Sequence, residues 1–101
     1  MHSFYYAQVD KGIPVGDICM DVSYESNHIK WFNGERWHDI VYKDVSDDGK
    51  AIRVETQYKT ITFQKLNLET YNEHLRSKIK QNFSSDEELQ KYLMKHFHAH
   101  D

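Results

Sequence analysis

The sequence predicts an α+β fold: an antiparallel sheet of about five or six strands, a meander or small half-barrel, followed by two helices packed on one face. Three observations predict it. Residues 1–66 contain short β-branched and aromatic runs separated by turn residues, and near Asn67 the apolar spacing changes from two to three or four. The length, 101 residues, suits one domain over 1–101: a β-rich part to residue 66, helices over 67–97 and a frayed tail at 98–101.

The composition excludes several classes of protein. Aromatic residues make up 14% of the chain, which favours a folded domain over a disordered one. The net charge of −3 is too mild for an obvious nucleic-acid binder or an acidic DNA mimic. A single cysteine, Cys19, excludes an internal disulfide framework and a four-cysteine zinc site. With no long apolar run and no signal-peptide pattern at the start, we expect a cytoplasmic protein without a membrane segment.

The first strands are predicted from local patterns. Phe4–Val9 is a short aromatic run, and the glycine- and proline-containing segment 11–16 is expected to be a turn. From Asp17 onward apolar and polar residues alternate, which is typical of a strand buried on one face. The apolar side chains on that face are Ile18, Met20, Val22 and Tyr24.

The clearest hairpin signal is the pair Asn33-Gly34, which favours a two-residue type I′ turn. That turn would place Phe32 opposite Glu35 and Trp31 opposite Arg36. The two tryptophans, Trp31 and Trp37, then lie on opposite faces of the hairpin. One face carries Ile29, Trp31, Arg36, His38 and Ile40, and the other carries Lys30, Phe32, Glu35, Trp37, Asp39 and Val41.

The remaining elements follow in order. A turn at 47–49 separates strands predicted at 51–56 and 60–66. A helix is then expected from an N-cap at Asn67, and a second one after the capping box Ser85-Asp86-Glu87-Glu88. The first helix carries one apolar stripe, which is Leu68, Tyr71, Leu75, Ile79 and Phe83. The second carries Leu89, Tyr92, Leu93, Met94 and Phe97.

The segment from Asp44 to Glu55 resembles the calcium loop of the EF-hand family. Oxygen-bearing side chains stand at its positions 1, 3 and 5, Gly49 at position 6 and Glu55 at position 12. The resemblance implies a calcium-binding module with the side-chain ligands Asp44, Ser46, Asp48 and Glu55. However, both flanks are strand-like where that family has helices, so a β-turn is the preferred interpretation and calcium binding an alternative.

No pattern indicates catalysis, and no enzyme activity or cofactor is expected. The acidic neighbours of Cys19, Asp17 and Asp21, would raise a thiol pKa, so a structural cysteine is favoured over a nucleophile. Glycine-rich phosphate loops are absent from the sequence. A weak single-stranded nucleic-acid binder remains an alternative, because Lys30, Arg36, Lys43 and Lys59 lie among aromatic residues. Against it, residues 1–66 hold ten acidic and eight basic residues, and this net negative charge disfavours binding of a phosphate backbone.

The density of aromatic residues on the predicted hairpin suggests the function. With one tryptophan on each face, one of them is expected to be exposed, and tryptophan and arginine commonly anchor protein interfaces. The sequence therefore predicts a small non-catalytic protein-binding module that uses its aromatic hairpin or a sheet edge to bind a protein partner or another copy of itself. The predicted binding residues are Trp31, Phe32, Arg36, Trp37 and His38. We expect a phage or mobile-element accessory protein, either a virion component or an inhibitor of a host enzyme.

Overall fold

A computed structural model describes residues 2–10 and 17–97, and it has the predicted α+β class. Seven strands and two helices are present in these residues, so the expected number of strands was too low. The strands are β1 (Phe4–Val9), β2 (Asp17–Glu25), β3 (His28–Phe32), β4 (Trp37–Val41), β5 (Asp44–Asp47), β6 (Ala51–Glu55) and β7 (Thr60–Lys65). The helices are α1 (Leu68–His74) and α2 (Asp86–His96). The predicted turn at 11–16 and tail at 98–101 lie outside the described residues.

All neighbouring strands are antiparallel, in the order β4-β3-β2-β1-β7-β6-β5. Although β4 and β5 follow each other in the chain, they lie at opposite ends of this order. Two adjacent residues explain how: Tyr42 N donates to Asn27 O (2.8 Å), and Lys43 N donates to Glu55 O (2.7 Å). Within one dipeptide the chain therefore bonds beside β3, near one end of the sheet, and to β6, near the other, and the sheet curls into a half-barrel.

The concave face of this half-barrel holds one of the two apolar cores. Its members come from β1, β2, β3, β6 and β7, and they are small or β-branched except for one phenylalanine. They are Ala7, Cys19, Val22, Ile29, Ile52, Val54, Ile61 and Phe63. Side chains that alternate along each strand leave the other half of the strand residues on the convex face.

The helices cover the convex face and form the second core. Strand β1 contributes Phe4 and Tyr6 to it, while Ala7 of the same strand faces the concave core, as a period of two requires. The remaining buried members are Met20, Leu66, Tyr71, Leu75, Leu89, Leu93 and Phe97. The sheet is thus packed on both faces, with helices on one of them.

Strand β2 does not keep one buried face along its length. Met20 faces the helices, whereas Val22 lies in the concave core. Between them Asp21 has a φ of 57°, and the pairing register against β3 shifts at this point. Such a β-bulge re-aims the residues that follow it. The expectation that Ile18, Met20, Val22 and Tyr24 share one face is therefore wrong.

The start of the chain holds this bulge in place. Asp21 N donates to Ser3 O (2.8 Å), and Asp21 Oδ1 accepts from Ser3 N (3.3 Å). The second carboxylate oxygen of Asp21 lies 2.7 Å from Nδ1 of His2. Asp21, which has a positive φ and a short polar side chain, thus has its carboxylate oxygens bonded by residues 18 and 19 positions earlier in the sequence.

The hairpin between β3 and β4 has a longer loop than predicted. Phe32 pairs with Trp37, so 33–36 form a four-residue loop and not a two-residue turn. The side chain of Asn33 explains the difference, since Oδ1 accepts from the backbone N–H groups of Glu35 (2.9 Å) and Arg36 (3.0 Å). The observed pairing of β3 with β4 differs from the predicted one by two residues. Since side chains alternate with a period of two, each paired residue still lies on its predicted face.

Both predicted helix N-caps are confirmed. Asn67 Oδ1 accepts from Thr70 N (2.9 Å), and Ser85 Oγ accepts from Glu88 N (3.2 Å). The reciprocal bond of the capping box differs from the prediction, because the Glu88 carboxylate accepts from Ser84. These hydrogen bonds lower the pKa of Glu88 below its usual value.

The first helix is shorter than its apolar stripe predicts, since α1 ends at His74 and the chain turns before Phe83. The hydroxyl of buried Tyr71 lies 2.5 Å from Ile79 O and 2.7 Å from Gln81 O, and its single proton is shared between these two carbonyls. A side chain therefore satisfies backbone groups that an extended helix would have paired. Ile79 and Phe83 still pack against the helical core from this turn.

Two glycines give a matched test of the packing between the hairpin and α2. Gly34 (φ 99°) and Gly49 (φ 87°) both have positive φ. A Cβ added at Gly34 would lie 3.2 Å from the Phe97 ring, whereas a Cβ added at Gly49 would have no atom within 4 Å. Gly49→Ala is expected to cost about 1–2 kcal/mol of unfolding free energy from backbone strain. Gly34→Ala should cost about 1 kcal/mol more, because the ring must shift. Urea unfolding measures both, and equal losses would contradict the contact.

Candidate functional site

Strand β4 is an open edge of the sheet. Among the described residues it pairs with β3 alone. Asn33 N donates to Arg36 O and Tyr42 N donates to Asn27 O, and hydrogen-bonded pairs alternate along an antiparallel ladder. His38 and Ile40 therefore direct their backbone groups toward β3. Trp37, Asp39 and Val41 direct theirs away from the sheet, toward the side on which Lys43 bonds to β6.

The same three residues carry the exposed side chains of the strand. Trp37 is 59% exposed and Val41 is 55% exposed, and both lie on the convex face. The Trp37 indole rests against Phe32 on β3, with ring centroids 5.6 Å apart. Asp39 stands between the two apolar side chains. Open backbone groups and exposed apolar side chains thus occur together on one short strand.

The structure divides the five predicted binding residues between different surroundings. Trp31 faces the concave core, where its ring stacks on His38 (4.9 Å) and contacts Phe63 (5.2 Å). Phe32 is half-buried against the helical core, and Arg36 is exposed in the loop. Trp37 is the one of the five with a largely exposed aromatic ring. Partial burial lowers the pKa of His38, and the charge of Arg36 adds to that effect.

Asp39 lies in a small charged network on the convex face. Its Oδ1 is 2.8 Å from His28 Nδ1, and its Oδ2 is 3.8 Å from Lys30 Nζ. All three side chains are about half exposed, so solvent screens these pairs. With Ser23 and Glu25 they line a shallow depression. The network gives the central carboxylate of β4 a cationic neighbour on β3.

A groove continues from the end of β4. It has a volume of about 490 Å³ and lies between residues 40–43 and the turn at 56–59. Its lining holds two aromatic side chains, Tyr42 and Tyr58, and two lysines, Lys43 and Lys59, with no acidic residue. Tyr58 is 84% exposed at the tip of that turn.

The groove is a feature that sequence reasoning did not identify as a unit, because its two walls are far apart in the chain. It brings together two of the four basic residues considered for nucleic-acid binding, Lys43 and Lys59. The other two lie elsewhere: Lys30 is beside Asp39, and Arg36 is in the hairpin loop. The four therefore do not form one basic surface.

The segment from Asp44 to Glu55, for which a β-turn was preferred over a calcium loop, forms a β-hairpin. Asp44 lies opposite Glu55, and Ser46 lies opposite Arg53, across β5 and β6. Asp48 Oδ1 accepts from the backbone of Lys50 and Ala51, both at 2.8 Å, and these bonds lower the pKa of Asp48. Within residues 2–10 and 17–97, no group of three or more acidic, histidine or cysteine side chains is placed to hold a metal ion. The turn therefore uses Asp48 to close its own backbone.

Cys19 is buried in the concave core. Burial raises the pKa of its thiol to about 12, and the charge of Asp17 adds to the shift. A thiol in this state is protonated at neutral pH and is a poor nucleophile. The environment of Cys19 is that of a packing residue.

Neither described helix has the length and apolar character needed to cross a bilayer. Comparison of the chain with protein-family models, curated proteins and solved structures gives no match. The geometry of the β4 edge is therefore the basis for assigning a function.

Proposed function

We propose that this chain is a small non-catalytic protein-binding module that receives an extended segment of a partner along the open edge of β4. The observation that carries the proposal is the coincidence, on Trp37, Asp39 and Val41, of outward backbone groups with exposed side chains. An added strand would pair with those backbone groups, and side-chain contacts would give specificity.

Trp37 supplies the anchor in this proposal. Its indole is exposed by more than half, yet it is oriented by contact with Phe32, so little rotamer freedom is lost on binding. Tryptophans of this kind dominate the energy of many interfaces. Natural proteins commonly protect an open edge with charged residues, and β4 has one acidic residue between two apolar ones. The strand is thus poorly protected against pairing with another chain.

A displayed library of random short peptides, selected on the immobilised protein, tests the proposal. We expect selected peptides to bind the wild-type chain and to bind Trp37→Ala at least about 30-fold more weakly, which corresponds to about 2 kcal/mol. Amide resonances of Trp37, Asp39 and Val41 should move on binding, because their N–H groups acquire acceptors. Tyr24 is an exposed aromatic residue on β2, so Tyr24→Ala is the matched control. This substitution should leave the affinity for the selected peptides unchanged.

Two results would contradict the proposal. One is a library that yields no peptide that prefers the wild-type chain to Trp37→Ala. The other is peptide binding whose resonance changes fall on another surface, such as the helices. Circular dichroism of Trp37→Ala should match the wild type, since the side chain removed is largely exposed.

A further inference from the structure

We infer that the segment received by this edge is β4 of a second copy, paired antiparallel about a two-fold axis at Asp39. The inference rests on the proposed function and names its partner. A two-fold interface uses the same surface on both copies, so the strand must be complementary to itself. Three properties of β4 meet that requirement: its hydrogen-bonding register, its exposed apolar side chains and its charges.

One register uses every open backbone group of the strand. The outward residues are Trp37, Asp39 and Val41, as the ladder to β3 shows. Placing Asp39 opposite Asp39 of the second copy puts Trp37 opposite Val41 of that copy, and the reverse. Each of these facing residues then exchanges N–H and C=O groups with its counterpart. Any other antiparallel register leaves an outward residue of each copy without a counterpart among these three.

That register also pairs the two exposed apolar side chains of the strand. Trp37 and Val41 are each more than half exposed and lie on the same convex face. Facing residues in a hydrogen-bonded pair lie on the same face of the joined sheet, so each indole would cover a valine of the other copy. The two-fold axis makes this contact twice. A tryptophan and a β-branched residue form a favourable cross-strand pair.

The charges fit the same arrangement. Two facing carboxylates repel each other, but each Asp39 has Lys30 3.8 Å away on its own β3. The axis therefore brings together two carboxylates and two ammonium groups. The open stretch ends after Val41, because Lys43 N already bonds to Glu55 O (2.7 Å) on the outward side, so the pairing is confined to residues 37–41.

The interface is small, because each copy contributes a strand of 5 residues. Interfaces of this kind fall at the low end of the size range for specific complexes. We therefore expect a reversible dimer whose population rises with protein concentration. In native mass spectrometry the untagged chain should shift from 12.1 kDa toward twice that mass as concentration increases.

A single cysteine placed on the proposed axis tests the register. Facing α-carbons in a hydrogen-bonded antiparallel pair are about 5.5 Å apart, within the range that a disulfide spans. Asp39→Cys should therefore give a covalent dimer under mild oxidation. Ser23→Cys is the matched control: it is exposed, lies opposite Lys30 two strands inward from the edge, and should give at least about tenfold less cross-linked dimer. The native Cys19 is buried and does not compete.

Val41→Lys supplies a second measurement that does not depend on cysteine chemistry. It removes the apolar partner of Trp37 and should move the monomer–dimer midpoint to at least about tenfold higher concentration. Equal cross-linking at positions 23 and 39, or a dimer unaffected by Val41→Lys, would overturn the inference. A monomer at all concentrations that still binds selected peptides at Trp37 would also overturn it, while leaving the proposed function intact. If neither peptides nor a second copy bind, both fail.

Discussion

Phe63→Ala is expected to lower the free energy of unfolding by about 3–5 kcal/mol. Phe63 is fully buried in the concave core, where its neighbours in the sheet are Ile52 on β6 and Ala7 on β1. Its ring also supports Trp31 from the opposite side of the curled sheet (5.2 Å). Truncation leaves a cavity that the curved strands cannot close. Urea unfolding followed by circular dichroism measures the loss.

Tyr58→Ala is the control for this substitution. The side chain removed is also aromatic, but it is 84% exposed, so its loss should change stability by less than about 0.5 kcal/mol. In a Trp37→Phe background, the emission of Trp31 should shift to longer wavelength in Phe63→Ala, because the indole loses its packing partner. A Phe63→Ala variant no less stable than Tyr58→Ala would show that the half-barrel has no packed interior.

Leu93→Ala should cost about 2–5 kcal/mol through the other core. Leu93 is fully buried where α2 packs on the convex face, and it shares no core cluster with Phe63. Lys91→Ala on the same helix is a close control, since lysine and leucine have similar helix propensities and Lys91 is exposed. Its ion pair with Glu87 lies at the surface and contributes little.

The difference between the two helix variants isolates burial from helix formation. Thermal unfolding of both, with helix content checked by circular dichroism, is the measurement. A Leu93→Ala loss close to that of Lys91→Ala would mean that α2 is not packed on the sheet. The helical layer would then have to be assigned to another surface of the domain.

Features set by neighbouring residues were predictable from the sequence. The N-cap side chains of Asn67 and Ser85 each accept a hydrogen bond from the N–H group three residues further on. The position of the β3–β4 loop followed from Asn33 and Gly34, but its length depended on where the Asn33 side chain bonds. Local sequence signals indicate that a turn or cap is present more reliably than its geometry.

Features set by distant residues were not predictable. The bulge at Asp21 is held by Ser3, and the early end of α1 accompanies the Tyr71 hydroxyl bonding to carbonyls of a later turn. The apolar stripe through Leu75 and Ile79 was buried as expected, though not as one helix. Burial can be achieved by more than one backbone path, so periodicity alone does not specify the path.

The candidate site shows the same division. Alternation along a strand determined that Trp31 and Trp37 lie on opposite faces, and a register error of two residues left that relation intact. The sequence by itself did not determine which tryptophan is exposed. That depended on the direction in which the sheet curls, and Tyr42 and Lys43 bond to segments near its two ends. A period of two relates residues to each other, whereas the tertiary structure decides which face is covered.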